Sequence, residues 1–224
     1  MQIAIDGPAS AGKSTVAKLV AKQLNYVYCD TGAMYRCVTL LVLRRGVAPD
    51  DAAAVTALLK DVKISFKPSA DGQLVFLNGE DVSLTIRQED VTNNASAVAA
   101  IPAVRTALTD QQRAIADAGN IVMDGRDIGT TVLPHAELKV FMVASVEERA
   151  RRRFLDNQEK GIDVPVETLE KEIAARDHKD STRKTSPLKQ AADAVLLDTT
   201  SLSIEEVVAK IVSLYQERRN IASN

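Results

Sequence analysis

The stretch Gly7-Pro8-Ala9-Ser10-Ala11-Gly12-Lys13-Ser14-Thr15 decides the fold. It fits the pattern G-x-x-x-x-G-K-[ST] of a phosphate-binding loop. It also stands where such a loop works, directly after an apolar run at residues 2–6 and ahead of a helical pattern. Glycines let the backbone curl so that successive N–H groups point inward. A helix start adds partial positive charge. In that setting Lys13 reaches the β- and γ-phosphates of a triphosphate, and the Ser14 hydroxyl holds Mg²⁺.

Working outward, five short apolar runs read as buried parallel strands: residues 2–6, 26–29, 120–124, 138–144 and 194–198. Helical patterns separate them, which predicts an α/β fold with a five-stranded parallel sheet covered on both faces. Residues 14–24 predict a helix with Val16, Leu19, Val20 and Leu24 on its core face. Ser145 with Glu148, and Ser203 with Glu206, are capping boxes that open two further helices. The last helix carries an apolar stripe of Ile204, Val207, Val208, Ile211, Val212 and Tyr215. Residues 63–82 break the rhythm. Ile64 and Phe66 alternate there, with turn signals at 69–72 and at Asn78-Gly79, so a small antiparallel insertion is expected. The expected organisation is one phosphate-loop domain. Its core covers 1–62, 85–145 and 185–224, the insertion 63–84, and a closing segment 146–184.

The 224 residues are 46% hydrophobic and 26% charged, as in an ordinary globular chain, and the formal net charge is −2. No whole-molecule field attracts nucleic acid. The basic residues cluster instead, at Arg149, Arg151, Arg152 and Arg153 and again over residues 176–189. Local cationic patches on a near-neutral protein point to small anionic ligands. Cys29 and Cys37 make no metal-binding spacing with His135 and His178 and are read as buried free thiols. No signal-peptide pattern and no membrane-length apolar run appears, so the expected compartment is the cytoplasm. No stripe predicts a dimer, and a monomer is expected.

The loop alone leaves several classes open. A regulatory GTPase needs D-x-x-G and N-K-x-D motifs, and neither occurs. A motor-type ATPase is usually larger, with an Asp-Glu pair ending a strand, and none is present. A small phosphotransferase remains, the shikimate-kinase type among them. Three further stretches bear on its acceptor. Asp30-Thr31-Gly32-Ala33-Met34-Tyr35-Arg36 opens a helix with a hydroxyl, a glycine and a cation suited to a second anion, although an ordinary helix cap has the same look. Met123-Asp124-Gly125-Arg126-Asp127 ends a strand, and Asp124 there can hold Mg²⁺ through water. The alternative reading of Arg126 is that of a simple ion-pair partner to Asp124 or Asp127. Arg176, Asp180 and Arg183, spaced i, i+4 and i+7, share one helix face. Taken alone that face reads as an exposed, salt-bridged one, and the Arg149–Arg153 cluster as either a solvated face or a lid.

Together and in order, these stretches resemble the bacterial cytidylate kinases. The resemblance also takes in Gly79-Glu80-Asp81-Val82 with Ile86-Arg87, Asn94-Ala95-Ser96, Arg105 within 102–113, and residues 176–188. It implies ATP-dependent phosphorylation of CMP and dCMP with Mg²⁺. By the same resemblance Thr31, Tyr35 and Arg36 sit at the acceptor phosphate and its approach. Ser96, Arg105 and Asp127 read cytosine, Arg176 and Asp180 contact the sugar, and Arg126 and Arg183 bind phosphate. Arg149, Arg152 and Arg153 form a short lid, with Lys13, Arg126, Arg149, Arg153 and Arg183 carrying the charge of transfer. Ser10 departs from the pattern, because many nucleoside-monophosphate kinases have glycine there. The chemistry suits cytosine, whose 4-amino group donates to a carboxylate while N3 and O2 accept. Uracil reverses two of these partners, at about 1–3 kcal/mol per mispaired buried group. The remaining alternatives are a UMP/CMP-type or shikimate-type kinase, or a non-catalytic NTP-binding module.

Overall fold

The computed structural model describes residues 1–69, 72–159 and 161–222. Its elements run β1 (Gln2–Asp6), α1 (Lys13–Leu24), β2 (Val27–Asp30), α2 (Thr31–Arg44), α3 (Ala52–Leu58), β3 (Ile64–Ser69), β4 (Gly72–Leu77) and β5 (Glu80–Asp81). There follow α4 (Glu89–Ala99), α5 (Pro102–Ala116), β6 (Ile121–Gly125), β7 (Leu138–Val143), α6 (Val146–Glu159), α7 (Val166–Thr182), β8 (Val195–Asp198) and α8 (Ile204–Ala222). All five expected strands form, each within a residue of its expected ends. They make one parallel sheet of order β2-β6-β1-β7-β8. Its central strand reads as a continuous apolar run for a physical reason: Ile3, Ala4 and Ile5 are fully buried, so both faces of β1 are covered.

The chain divides into two compact units, Met1–Val27 with Gly119–Asn224, and Tyr28–Ala118. Residues 28–62 and 85–118 thus fall in one unit with the antiparallel strands.

In the first unit, β1 and β6 run level, with Ile5 opposite Asp124 and Asp6 opposite Gly125. That register brings Asp124 to the carboxyl end of the sheet beside the phosphate loop. Helix α1 packs on β1 and β6 through Val16, Ala17, Val20 and Ala21. The expected face was turned slightly wrong. Leu19 is 40% exposed and Leu24 only half-buried, because the two alanines let the backbone approach the sheet and centre the buried stripe on themselves. Helix α8 buries Val207, Val208, Ile211, Val212 and Tyr215, while Ile204, at its first turn, is 46% exposed. The Ser203–Glu206 capping box is complete, with Glu206 N donating to Ser203 Oγ (3.2 Å) and Ser203 N to Glu206 Oε2 (2.8 Å). The one at Ser145 is only half formed. Glu148 N donates to Ser145 Oγ (3.2 Å), but the Glu148 carboxylate is taken by Arg151 and Arg152. Helices α6 and α7 pack together through Ala150, Leu169 and Ile173.

In the second unit, α2 packs against α4 and α5 around Met34, Val38, Leu41, Val91, Val98 and Leu108. The expected insertion is a separate antiparallel sheet, β3-β4-β5, with Ile64 opposite Leu77 and Leu77 opposite Glu80. Asn78 and Gly79 both have positive φ (53° and 88°), as a two-residue hairpin turn of the primed type requires. The 69–72 turn lies partly outside the described residues. Gln73 Nε2 of β4 donates to the Tyr28 carbonyl (2.6 Å) at the start of the run leading into α2. Cys29 and Cys37 are both buried and unbridged, as expected, and burial pushes the Cys37 thiol up to about 12. No helix among the described residues is long and apolar enough to cross a membrane.

Candidate active site

The loop after β1 has the backbone its sequence demands. Gly7 sits at φ 152°, and a Cβ there would lie 2.1 Å from the Met142 carbonyl oxygen of β7, so only glycine fits. Gly12 caps α1 in the left-handed region (φ 82°) and brings no side chain to the helix start. The first N–H groups of α1 are thereby available to an anion. Ser10, where the pattern often has glycine, is itself left-handed at φ 58°, which costs a residue with a Cβ about 1–2 kcal/mol.

Lys13 is 5% exposed, and its Nζ donates to the Pro8 carbonyl (2.6 Å). Burial first, then the nearby Arg126 charge, holds its pKa well below the usual lysine range, while Asp124 and Asp6 pull the other way. A triphosphate would add the negative charge this ammonium lacks. The Ser14 hydroxyl donates to Asp124 Oδ2 at 2.7 Å, and Asp124 is 4% exposed. A hydroxyl and a carboxylate meeting beside a phosphate loop are hard oxygen donors that fit Mg²⁺. Among the described residues no group of three or more His, Cys, Asp or Glu could hold a metal by itself.

Beyond β6 the chain makes a π-helical turn, Ile128–Val132, and Asp6 fixes its start. Ile128 N and Gly129 N donate to the two Asp6 oxygens at 2.8 and 2.7 Å. Burial pushes the Asp6 carboxyl up to about 6, and the Asp127 charge adds to this. The two N–H bonds and Lys13 oppose it.

The Arg126–Arg183 region corrects two readings. Arg126 pairs with neither Asp124 nor Asp127: its Nε donates to Asp180 Oδ2 at 2.9 Å. The α7 face is not an exposed one either. Asp180 is 5% exposed, and its Oδ1 lies 3.9 Å from Arg183 Nη1. Arg183, just past the helix end, donates through Nη2 to Asp127 Oδ1 (3.4 Å) and through Nε to the Ser186 carbonyl (2.7 Å). Sequence spacing shows which side chains share a face but not what covers it.

The four-arginine cluster on α6 divides. Arg149 is 4% exposed. It donates from Nε to Ala144 O (2.9 Å) and from Nη1 to Ala9 O (3.0 Å) and Asp177 Oδ2 (2.6 Å). Arg151 and Arg152 both pair with Glu148, and Arg152 also donates to the Thr199 carbonyl (2.6 Å). A Cβ added at Gly12 would meet Arg152 Nη1 at 4.0 Å, so this guanidinium borders the loop. Arg153 is exposed.

In the second unit Asp30 caps α2, accepting from Ala33 N (2.8 Å), and holds Arg36 Nη2 at 3.0 Å and Arg87 Nη2 at 3.7 Å. A Cβ at Gly32 would stand 3.1 Å from Asp30 Oδ1 and 3.2 Å from Arg36 Nη1, so glycine leaves room for that pair. Thr31 is buried, and Ser96 of α4 is half-buried. Arg105 of α5 is 3% exposed, donates to the Ala99 carbonyl (3.2 Å), and lies 5.2 Å from the Tyr35 ring centroid. Sequence reasoning did not assign Asp6, Asp30, Asp177 or Gln112. The last is 1% exposed on the Arg105 face of α5, with neither amide atom hydrogen-bonded. Asp30 and Asp177 lay inside quoted motifs. Asp6 and Gln112 carried no local signal.

Sheet order, loop and Ser14–Asp124 contact define a phosphate-loop kinase of the α/β class. The comparisons agree. Solved structures of similar fold include an uncharacterized protein from Eubacterium ventriosum (TM-score 0.55, 12% identity, covering 97% of this chain and 98% of that one). Another is a gluconokinase from Sinorhizobium meliloti (TM-score 0.51, 12% identity, 99% of this chain and 95% of that one). The family model for Cytidylate kinase matches residues 3–217. Cytidylate kinases from Lactiplantibacillus plantarum and Ligilactobacillus salivarius are 61% and 62% identical over 220 residues. They cover 98% of this chain and 96% and 98% of their own lengths. One from Streptococcus agalactiae is 62% identical over 212 residues, 94% of this chain and 93% of its own. The chain belongs to the cytidylate kinase family.

Proposed function

We propose that this protein transfers the γ-phosphoryl group of ATP to CMP, and to dCMP, giving the diphosphate. The observation that carries the reading is the phosphate loop with Ser14 bonded to Asp124, in a chain matched over 98% of its length by cytidylate kinases. The acceptor phosphate is already an anion near neutral pH, so the transfer needs no general base. His135 and His178 are both exposed and take no part. Catalysis is positioning and charge neutralisation. Lys13 and the loop at residues 7–15 hold the donor phosphates, through main-chain N–H groups other than those of Pro8, which has none, and Ala9, which donates to Asp177. Ser14, and Asp124 through water, would hold Mg²⁺, which neutralises charge on the β- and γ-phosphates when bound. Arg36, Arg126 and Arg183 bind the acceptor phosphate, with Thr31 and Tyr35 at its approach. Asp127 accepts from the cytosine amino group, and Ser96 and Arg105 donate to the ring. Arg176 and Asp180 take the sugar. Of the three α6 arginines expected to form the lid, Arg149 is buried and bonded to Ala144, Ala9 and Asp177, which leaves Arg152 and Arg153 as the lid cations. The protein works in the cytoplasm, a reading its two buried free thiols support, and as a monomer.

A coupled ADP-release assay across CMP, dCMP, UMP, AMP, GMP and shikimate tests this. CMP and dCMP should turn over well ahead of the rest. Transfer to shikimate or AMP in preference to CMP would overturn it, as would ATP binding with transfer to none.

A further inference from the structure

We infer that Asp177 and Arg149 are positioning residues that clamp the phosphate loop to α7 and so fix the register between phosphoryl donor and acceptor. The inference rests on the assignment of Arg176 and Asp180 to the acceptor's sugar. Three groups close a ring. Ala9 N donates to Asp177 Oδ1 (3.2 Å), Arg149 Nη1 donates to Asp177 Oδ2 (2.6 Å), and the same nitrogen donates to the Ala9 carbonyl (3.0 Å). Both polar ends of residue 9 are thus held by side chains from α6 and α7. Arg149 is in turn tied to the end of β7 through Nε and the Ala144 carbonyl (2.9 Å).

Three features argue that this ring positions rather than binds substrate. The Nε and Nη1 donors of Arg149 are committed to the protein, and its side chain is 5% exposed. It is therefore not poised as a mobile lid cation. A carboxylate beside a triphosphate site repels its ligand, and pairing Asp177 with Arg149 cancels that repulsion while keeping both hydrogen bonds. The next residue, Ser10, has φ 58°. Strained backbone of this kind persists where the surroundings over-determine it, and the ring supplies that constraint immediately upstream.

The consequence lies in α7 itself. Asp177 follows Arg176 directly, and Asp180 is one turn on, holding Arg126 at 2.9 Å. One rigid helix therefore contacts the loop that holds the donor and carries the side chains assigned to the acceptor. A loosened clamp lets these two slide, and a misplacement of about 1 Å costs up to about 100-fold in rate.

The test uses the full chain with Asp177→Asn and Asp177→Ala. Steady-state kinetics in both substrates, equilibrium MgATP binding and thermal unfolding are measured for each. Asp177→Ala should lower kcat by about 10- to 100-fold, with KM for ATP and CMP each within about threefold of wild type. MgATP binding should be nearly unchanged. Asp177→Asn should be milder, since its amide oxygen still accepts from Ala9 N. Unchanged kcat in both variants overturns the inference. So does a kcat loss that merely follows the loss of folded protein. So does a loss confined to KM for ATP, which would make Asp177 part of the donor site. The assignment beneath it is tested separately. Asp180→Asn in the wild-type background should raise KM for CMP, and if it does not, the acceptor reading of α7 fails whatever Asp177 shows.

Discussion

Removing the Asp180 carboxylate should damage stability and substrate affinity together. Asp180 has 8% side-chain exposure. It accepts from Arg126 Nε at 2.9 Å and faces Arg183 Nη1 at 3.9 Å. In Asp180→Ala two guanidiniums confront one another without the shared anion. At an effective dielectric of about 20, opposite charges about 4 Å apart attract by roughly 4 kcal/mol. Breaking a buried pair costs about 3–5 kcal/mol because the partner is left uncompensated. Arg126 is 20% exposed, so water meets part of its need and the lower figure of about 3 kcal/mol applies. For a chain of this size about 1 kcal/mol moves Tm by roughly 2–4 °C, so the expected drop is about 6–12 °C. Asp180→Asn keeps an acceptor for Arg126 Nε and should lose about half as much. Thermal unfolding by circular dichroism, without nucleotide and at low salt, reads this directly. KM for CMP, measured on the same samples well below Tm, should rise while KM for ATP stays put. A Tm drop under about 2 °C for the alanine variant would refute the reasoning, since it would mean that the two arginines do not depend on this carboxylate.

Asp127→Ala should reduce kcat/KM for CMP by about 5- to 100-fold more than for UMP, the range that one mispaired buried group allows; equal losses on both would show that Asp127 does not read the base. Asp6 is protonated more readily in the native state, at about 6, than in the unfolded chain, at 3.8. Its contribution to stability is complete below the lower value and is lost as pH rises through the upper one, by about 3 kcal/mol in all. Denaturant unfolding of wild type and Asp6→Asn between those pH values should therefore show a negative pH slope in wild type that the variant lacks, and parallel slopes would contradict it. Gln112→Met replaces a fully buried, unsatisfied amide by a near-isosteric apolar chain and should raise Tm by about 2–12 °C, from about 1–3 kcal/mol of relieved desolvation; a lower Tm would mean that the amide has a partner in solution.

The sheet and the loop could be read from the sequence because their signals are local. An apolar run of five residues, a glycine that must approach the Met142 carbonyl and a lysine opening a helix all lie within one window of chain. The Asn78-Gly79 turn was legible for the same reason. What stayed hidden depends on contacts between distant residues. Asp6 meets Ile128 across 122 positions, and Asp177 meets Ala9 across 168. In the sequence Asp6 reads as the last residue of a strand, and Asp177 as one acid in a charged helix. The same blindness misjudged the Arg176–Arg183 face, since spacing gives the side of a helix but not its cover. Leu19 and Ala17 show a subtler limit. Hydrophobicity favours leucine for the buried stripe, yet close packing on the sheet favours the smaller residue.

One arrangement recurs among the cations. Arg126 is held by Asp180, Arg183 by Asp127 and Arg149 by Asp177. A site that must gather two polyanions needs several guanidiniums close together, and without nucleotide their mutual repulsion would open it. Neighbouring carboxylates offset that repulsion and hold each guanidinium in a defined direction, so less ordering remains to be done when phosphate arrives. In the proposed reading two of these acids also have work of their own, since a carboxylate that restrains an arginine can accept from an amino group or a sugar hydroxyl. The carboxylates then recognise the uncharged parts of the acceptor while the arginines turn to its phosphate. Removing the carboxylate outright, as in Asp127→Ala, should accordingly weaken base selection and arginine placement at once. Its losses with CMP should exceed what one missing hydrogen bond explains, whereas UMP should report the arginine part alone.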